Sequence, residues 1–285
     1  MVAKDRPIIV LSTGRAGSTL LQKLMNTHQD MLIWGEHAGI LTPLMNATKA
    51  VSRSEWIPEQ VPRGEWLLQK DRPLNEERWT AWDGSFSREG FHKHMKQFID
   101  DLFSKDVPDN VRWGFKEIRY SSLDVMDFMI KIYPQAQFIF LLRNPIDSCI
   151  SFAGALAPKD SKTSNDFSST ISDIADRQIK RKFEFFKEAM EHYPQNSRVV
   201  FFEQLVEKHC GVLDGISDFL GLSTGFNEYK VACIMKKDIV SERKRTSKEQ
   251  QDMLKNMALQ LLQDELEWYE SIASETRLHN YYYAV

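Results

Sequence analysis

The sequence has few cysteines and no long apolar run. Its 285 residues include three cysteines, Cys149, Cys210 and Cys233, and none of them stands in a Cys-x-x-Cys spacing. This usage excludes a disulfide framework, favours a reducing compartment and suggests no structural metal site. No segment reaches the roughly 18 apolar residues of a membrane span, and residues 7–11 are too short for the core of a signal peptide. We therefore expect a cytoplasmic protein without a membrane span or a metal.

An excess of charge of one sign is also missing. The 37 lysine and arginine residues nearly balance the 40 acidic residues, and the formal net charge is -3. Because long-range attraction to polyanions requires a surplus of positive charge, this balance argues against nucleic acid and anionic membranes as partners. An anionic ligand would have to be held by a local group of donors. The 42% hydrophobic content is enough for a sizeable core.

Short apolar runs alternate with helical patterns along the chain. The predicted strands are residues 8–11, 31–34, 111–115, 138–142 and 198–202, and covering helices are predicted at about 171–192, 203–220 and 248–274. This alternation predicts an α/β fold with a parallel sheet and helices on both faces. In such a sheet ligands bind beyond the carboxyl ends of the strands, where we expect the charged residues that follow them to converge.

Residues 52–90 interrupt this alternation. They include Trp56, Trp66, Trp79 and Trp82 without a clean period. We predict a single domain over residues 1–285 with an irregular or helical insertion, a lid, at about 52–90. The tryptophans argue against disorder, and they either anchor the segment to the core or face a substrate.

A glycine-containing turn follows the first predicted strand. Its residues are Thr13, Gly14, Arg15, Ala16, Gly17, Ser18, Thr19 and Leu20. The two glycines permit a tight turn whose N–H groups face one anion, and the helix that follows adds a partial positive charge. An ATP-binding loop would have a lysine between Gly17 and Ser18, and this loop has none. The pattern favours an anion cradle without ATP-specific features; a plain turn between a strand and a helix is the alternative.

A second pair of candidate anion ligands follows the fourth predicted strand. Arg143 ends that strand, and Ser151 lies about two helical turns further on. A guanidinium group can bind a phosphate through two donors, to which the hydroxyl adds a third. The alternative is a structural arginine paired with Asp147.

Both motifs resemble those of the sulfotransferase superfamily that uses 3′-phosphoadenosine 5′-phosphosulfate (PAPS). Residues 13–20 are similar to its 5′-phosphosulfate loop, with Ala16 in place of the usual serine, and residues 138–151 are similar to its 3′-phosphate strand and helix. Residues 202–206 and 219–222 resemble its late strand-helix segment. The motifs are closest to the branch of tyrosylprotein and bacterial small-molecule sulfotransferases. Two departures stand out: Phe202 replaces a tyrosine of that branch, and Ala155 replaces a second arginine.

The resemblance implies a P-loop-type sheet and a set of catalytic residues. Sulfuryl transfer needs a base for the acceptor proton and cations for the departing phosphate. The resemblance assigns Glu36 as the base, and His37 is its rival because histidine titrates near neutral pH. It also implies that Lys116 steadies the transferred group and that Arg15 lies over the phosphosulfate bridge.

Two assignments keep an alternative explanation. Lys116 can instead form a surface ion pair with an acidic neighbour, for which the candidates are Glu117, Asp124 and Asp127. Residues 241–248 are densely cationic and are either a solvated face or, by the resemblance, a loop that closes over the nucleotide. Its candidate ligands are Arg245, Thr246 and Ser247.

The sequence thus predicts a sulfotransferase that uses PAPS as donor, releases adenosine 3′,5′-bisphosphate (PAP) and needs no metal. A small-molecule alcohol, natural product or sugar is favoured over protein tyrosine as the hydroxyl-bearing acceptor. A homodimer is one oligomeric state that the resemblance allows. Two other hypotheses are an ATP-dependent phosphotransferase with a degenerate P-loop and a catalytically inactive nucleotide-binding module.

Overall fold

The computed structural model describes residues 3–53, 88–156, 164–239 and 248–282. Within them a parallel sheet has the strand order β2-β3-β1-β4-β5. Its strands are β1 (Ile8–Ser12), β2 (Met31–Trp34), β3 (Arg112–Glu117), β4 (Gln137–Leu142) and β5 (Ser197–Phe201). Each was predicted from an apolar run, and the predicted α/β fold class is confirmed.

Helices connect the strands and cover the sheet. They are α1 (Ser18–Met25), α2 (Leu41–Arg53), α3 (Arg88–Phe103), α4 (Asp124–Ile132), α5 (Pro145–Leu156), α6 (Ser164–Ile174), α7 (Arg181–His192), α8 (Phe202–Glu207), α9 (His209–Leu220), α10 (Glu228–Ile239), α11 (Lys248–Leu261) and α12 (Gln263–Tyr282). A π-helical stretch, Ala175–Lys180, joins α6 to α7, and short 3₁₀ helices occur at Ala3–Asp5 and Pro194–Asn196.

The sheet is buried on both faces, because alternate strand residues enter two different hydrophobic clusters. Ile9 and Leu11 of β1 belong to the cluster that includes residues of α4, α5 and α7. Ile8 and Val10 belong to the cluster that includes residues of α1, α9 and α10. Burial on both faces explains why the central strands are continuous apolar runs rather than alternating ones.

Several predicted boundaries differ from the observed ones. Residue 202 begins α8 instead of ending β5, because β4 ends at Leu142 and its partner is Phe201. The helical regions predicted at 203–220 and 248–274 are each two helices, and the region at 171–192 contains the π-helical stretch. The limits predicted for the insertion fall within α2 and α3. Residues 54–87 lie outside the described residues, and the lid stays a prediction.

Candidate active site

The carboxyl ends of the strands meet at one edge of the sheet and surround a cavity of about 410 Å³. The residues that line it are Arg15, Gly17, Ser18, Thr19, Leu20, Glu36, Lys116, Ile118, Arg143, Ser151, Phe202 and Val206. The structure thus brings together predicted site residues that follow β1, β2 and β4 or end β3. Gly14 and Ala16 belong to the same loop without being among the described residues that line the cavity.

The loop between β1 and α1 has the shape of an anion cradle. Arg15 and Gly17 have left-handed backbone conformations, with φ values of 65° and 84°. A Cβ atom added to Gly14 would lie 2.2 Å from the ring of Phe152, and one added to Gly17 would lie 2.3 Å from the ring of Phe202. Strained backbone at a non-glycine residue is common at functional sites, and alternating backbone conformations of this kind create anion-binding concavities.

Gly17→Ala is expected to lower the free energy of unfolding by about 1–3 kcal/mol, because the new methyl group meets left-handed backbone strain and the ring of Phe202. Chemical denaturation measures the change. Gly221→Ala is the matched control, because Gly221 also has a positive φ, 64°, but an added Cβ there meets nothing within 4 Å. We expect a smaller loss for the control. Equal losses would contradict the close packing of Gly17 on Phe202.

Arg143 connects the loop after β1 to the segment after β4. Its Nη1 donates to the carbonyl oxygen of Arg15 at 3.1 Å, and its guanidinium carbon lies 4.8 Å from the centroid of the Phe202 ring. The Nε of Arg15 donates to the hydroxyl of Ser151 at 3.5 Å. Arg15, Arg143 and Ser151 come from separate motifs and line the same cavity, where their donor groups can bind an anionic ligand.

The backbone after Arg143 is held by polar side chains. The Oδ1 atom of Asn144 accepts hydrogen bonds from the N–H groups of Ile146 and Asp147, at 3.0 and 3.3 Å, and so caps the N-terminus of α5. The N–H of Asn144 donates to Glu203 at 3.0 Å, and the hydroxyl of Tyr269 donates to the other oxygen of Glu203 at 2.5 Å. These bonds fix the direction in which β4 enters α5.

Glu36 and Lys116 form an ion pair at the cavity. The Nζ of Lys116 lies 2.5 Å from Oε1 of Glu36, and the side chains are 7% and 30% exposed, respectively. Lys116 is the second-last residue of β3 rather than the first residue after it, and it stands opposite Val10 of β1. The ammonium group and the carboxylate are therefore partly buried, and charge interactions are stronger there than in water.

The acidic neighbours that were alternative partners of Lys116 have other contacts. Glu117 pairs with Arg119 at 2.7 Å, and Asp124 pairs with Lys49 at 2.5 Å. The hydroxyl of Tyr193 donates to Asp127 at 2.5 Å.

Glu117 is a fully buried carboxylate with many donors around it. It accepts the N–H groups of Ile118, Arg119, His37 and Gly39 at distances of 2.9–3.2 Å, and the guanidinium of Arg119 at 2.7 Å. Burial alone would raise the pKa of Glu117, but these hydrogen bonds outweigh it and lower the pKa. Glu117 is therefore an anion that holds together the segment after Glu36 and the segment after Lys116.

His37 lies next to Glu36 in sequence, but its ring packs in the core. The ring centroid lies 4.5 Å from that of Phe115 and 5.2 Å from that of Phe103. Its Nδ1 accepts the N–H of Ile40 at 3.3 Å. Burial lowers the pKa of His37, although the charge of Glu117 opposes this effect. A neutral ring is expected, and His37 is not among the described residues that line the cavity.

The comparison with protein families agrees with these motifs. The model of the sulfotransferase family matches residues 7–227, a region that includes the loop, Glu36, Lys116 and Arg143. The chain belongs to the sulfotransferase family. The superfamily predicted from the two motifs is thereby confirmed.

Solved structures similar to this sulfotransferase include other sulfotransferases. The sulfotransferase domain of the Synechococcus PCC 7002 olefin synthase is 16% identical, with 95% of each chain covered and a TM-score of 0.49. Mouse sulfotransferase SULT7A1, complexed with PAP, is 14% identical, with 87% of this chain and 70% of that chain covered and a TM-score of 0.47. Retinol dehydratase, in complex with retinol and PAP, is 18% identical, with 92% and 82% covered and a TM-score of 0.45. No curated protein sequence matches the chain.

Three predictions for this sulfotransferase concern a late loop, a metal and a membrane span. Arg245, Thr246 and Ser247 lie outside the described residues, and their role stays a prediction. Within the described ranges no group of three or more His, Cys, Asp or Glu side chains is placed to hold a metal ion. In the same ranges no helix has both the length and the apolar character needed to cross a membrane.

Sequence reasoning did not single out Arg119, Ile118, Val206 or Phe202 as site residues. Arg119 forms ion pairs with Glu36 at 3.0 Å and with Glu117 at 2.7 Å. The available signal was the alternation of charge in Lys116-Glu117-Ile118-Arg119 at the end of a predicted strand. Phe202 was noted only as a departure from the family pattern, although it lines the cavity.

Proposed function

We propose that this sulfotransferase transfers the sulfuryl group of PAPS to an acceptor hydroxyl, with Glu36 as general base. The observation that carries the proposal is a single cavity in which a glycine cradle, three cationic side chains and one carboxylate meet. The cations are Arg15, Lys116 and Arg143, and the carboxylate is Glu36.

The cavity fits an anionic nucleotide. The cradle has no room for a side chain at Gly14 or Gly17, where an added Cβ would meet an aromatic ring, and Gly17 lines the cavity. Residues 14–20 would hold the 5′-phosphosulfate, and Arg143 with Ser151 would hold the 3′-phosphate. The lining residues include three cations and one carboxylate, and this excess of positive charge favours an anionic ligand.

The same residues supply what an in-line displacement requires. When bound, PAPS provides sulfur bonded to a phosphate oxygen that can leave with the electron pair of that bond. As the acceptor oxygen bonds to the sulfur, Glu36 takes the acceptor proton, while Lys116 and Arg15 stabilise the negative charge on the transferred group and the departing phosphate. Glu36 is preferred to His37 because its carboxylate lines the cavity, whereas the ring of His37 packs against Phe115.

The acceptor is proposed to be a small-molecule alcohol, natural product or sugar rather than protein tyrosine. The tryptophans among residues 52–90 suit an apolar or aromatic alcohol, and a sugar can also stack on tryptophan. Ile118 and Val206 add apolar surface to the cavity. A cytoplasmic location and a homodimer are also proposals from the sequence.

Calorimetric titration tests the donor. We expect the protein to bind PAP without metal and to show no comparable affinity for ATP with Mg²⁺. Binding of ATP alone would favour the phosphotransferase hypothesis. Binding of PAP without consumption of PAPS in the presence of an acceptor panel would favour an inactive nucleotide-binding module.

Arg143→Ala is expected to weaken PAP binding by about 10- to 100-fold, because a charged donor to the 3′-phosphate is lost. The affinity for adenosine 5′-phosphate, which lacks the 3′-phosphate, should fall far less. The ratio of the two dissociation constants therefore isolates the contact between Arg143 and the 3′-phosphate. Arg177→Ala is the control: Arg177 is exposed, its Nε lies 3.7 Å from Asp173 within the same helical region, and we expect unchanged binding. Equal losses for both nucleotides would place Arg143 elsewhere than at the 3′-phosphate.

A further inference from the structure

The two oxygens of the Glu36 carboxylate have different partners. Oε1 accepts a hydrogen bond from Lys116 at 2.5 Å, and Oε2 accepts one from Arg119 at 3.0 Å. Lys116 and Glu36 both line the cavity, whereas Arg119 is not among the described residues that line it. Oε1 therefore contacts a residue that lines the cavity, whereas Oε2 contacts one that does not.

The side chain of Arg119 is itself fixed by a buried anion. The same Nη1 atom that contacts Glu36 donates to Oε1 of Glu117 at 2.7 Å. Glu117 is 0% exposed and accepts hydrogen bonds from four backbone N–H groups, so its carboxylate is held in one position. Arg119 is 49% exposed but is bound on one side to a rigid carboxylate.

The backbone of Arg119 is fixed by a buried lysine. The Nζ of Lys182, a residue that is 2% exposed, donates to the carbonyl oxygens of Ile118 and Tyr120, which flank Arg119 in the chain. Burial lowers the pKa of Lys182 to about 8, and the charge of Glu117 opposes this effect. A buried amine is costly unless it is fully hydrogen-bonded, and here its bonds go to the segment that carries Arg119.

We propose that Arg119 is a positioning residue for the base, holding Oε2 of Glu36 so that Oε1 accepts the acceptor proton. This inference rests on the proposed function, in which Glu36 is the base. The ammonium group of Lys116 pairs with Oε1 of Glu36 and, in the reaction, would stabilise the negative charge of the transferred group. When it moves to the transferred group, Oε1 is released and can accept the proton. Arg119 stays bound to Glu117 during this change and keeps the Glu36 carboxylate oriented. Arg119 acts through Glu36 and does not touch the reacting atoms.

Arg119→Gln tests this role. With labelled PAPS as donor and phenol or butanol as acceptor, we expect kcat to fall about 10- to 100-fold, less than for loss of the base itself. The Kd for PAP should stay within about 2-fold. The split between the two quantities, a large fall in kcat with an unchanged Kd, is what a positioning residue predicts and a general loss of structure does not.

Arg119→Lys separates charge from geometry. It should recover only part of the kcat lost in Arg119→Gln, because an ammonium group on a flexible stem keeps the charge but lacks the fixed geometry with which one guanidinium nitrogen contacts both carboxylates. Thermal unfolding of both variants checks that the fold is retained, as a half-exposed side chain predicts. Arg177→Gln, at an exposed ion pair outside the cavity, is the control and should leave kcat and the Kd for PAP unchanged.

Three results would overturn the inference in distinguishable ways. Wild-type kcat in Arg119→Gln would remove the positioning role alone. A Kd for PAP that rises as much as kcat falls would make Arg119 a donor ligand. A wild-type protein that binds PAP but consumes no PAPS, with water, phenol or butanol as acceptor, would overturn the proposed function and this inference with it.

Discussion

Glu36→Gln is expected to lower kcat by about 10²- to 10⁴-fold while the Kd for PAP stays within about 2-fold. The amide keeps the size of the carboxylate and can still contact the cavity, but it cannot accept the acceptor proton. In the wild-type protein the Glu36 carboxylate pairs with Lys116 at 2.5 Å and with Arg119 at 3.0 Å. The substitution weakens these two ion pairs but removes no contact to the nucleotide, so the Kd for PAP should change little. Steady-state turnover of PAPS, with calorimetry on PAP in parallel, measures the two quantities separately.

Two controls identify the base. His37→Phe keeps an aromatic ring against Phe115 and removes the titratable nitrogens, so we expect most of kcat to remain. Glu191→Gln alters an exposed glutamate at the end of α7 and should change nothing. Full activity in Glu36→Gln combined with a large loss in His37→Phe would reverse the assignment. A parallel loss of PAP binding in Glu36→Gln would instead show that the variant disturbs the donor site.

The central strands β1 and β4 were predictable because they are buried on both faces and are therefore short, uninterrupted apolar runs over residues 8–11 and 138–142. The position of the site followed from the same reasoning, since parallel strands place the residues at their carboxyl ends along one edge. Gly14 and Gly17 marked the cradle, and the structure shows that an added Cβ at either one would meet an aromatic ring. Local pattern and spacing were sufficient for these features.

The choice between Glu36 and His37 could not be made from local pattern. Both residues follow β2, and either is a credible base by chemistry. What separates them in the structure is the aromatic packing of the His37 ring on Phe103 and Phe115, which come from elements far along the chain. Arg119 went unnoticed for a similar reason, because its partner Glu36 lies 83 positions away in the sequence.

Strand ends were the least predictable part of the fold. Lys116 and Glu117 were expected after β3 and lie inside it, because Val10 and Leu11 of β1 continue the pairing. Alternation along the strand then sends Glu117 toward the face of Trp113 and Phe115, where it is buried. Such boundaries depend on the length of the neighbouring strand, which the residues of the strand itself do not encode.

Lys116→Met is expected to lower kcat by about 10²- to 10³-fold with a much smaller change in the Kd for PAP. The ammonium group would serve the transferred sulfuryl group, which PAP lacks, so its loss should appear in turnover rather than in product binding. Removing it also leaves the Glu36 carboxylate facing an anionic donor without its cation at Oε1. Methionine is only one atom shorter than lysine and unbranched, so it preserves most of the packing of a side chain that is 7% exposed.

Comparison with Lys116→Arg and Lys180→Met sharpens the test. Lys116→Arg retains the charge in a larger group and should recover part of kcat. Lys180→Met removes a lysine that pairs with Asp176 at 3.4 Å, and it should leave turnover unchanged. If Lys116→Met weakened PAP binding as strongly as it lowered kcat, Lys116 would be a nucleotide ligand. If Lys116→Met kept wild-type kcat, the ion pair with Glu36 would serve only the stability of the cavity, and Arg15 would be left as the cation at the reacting group.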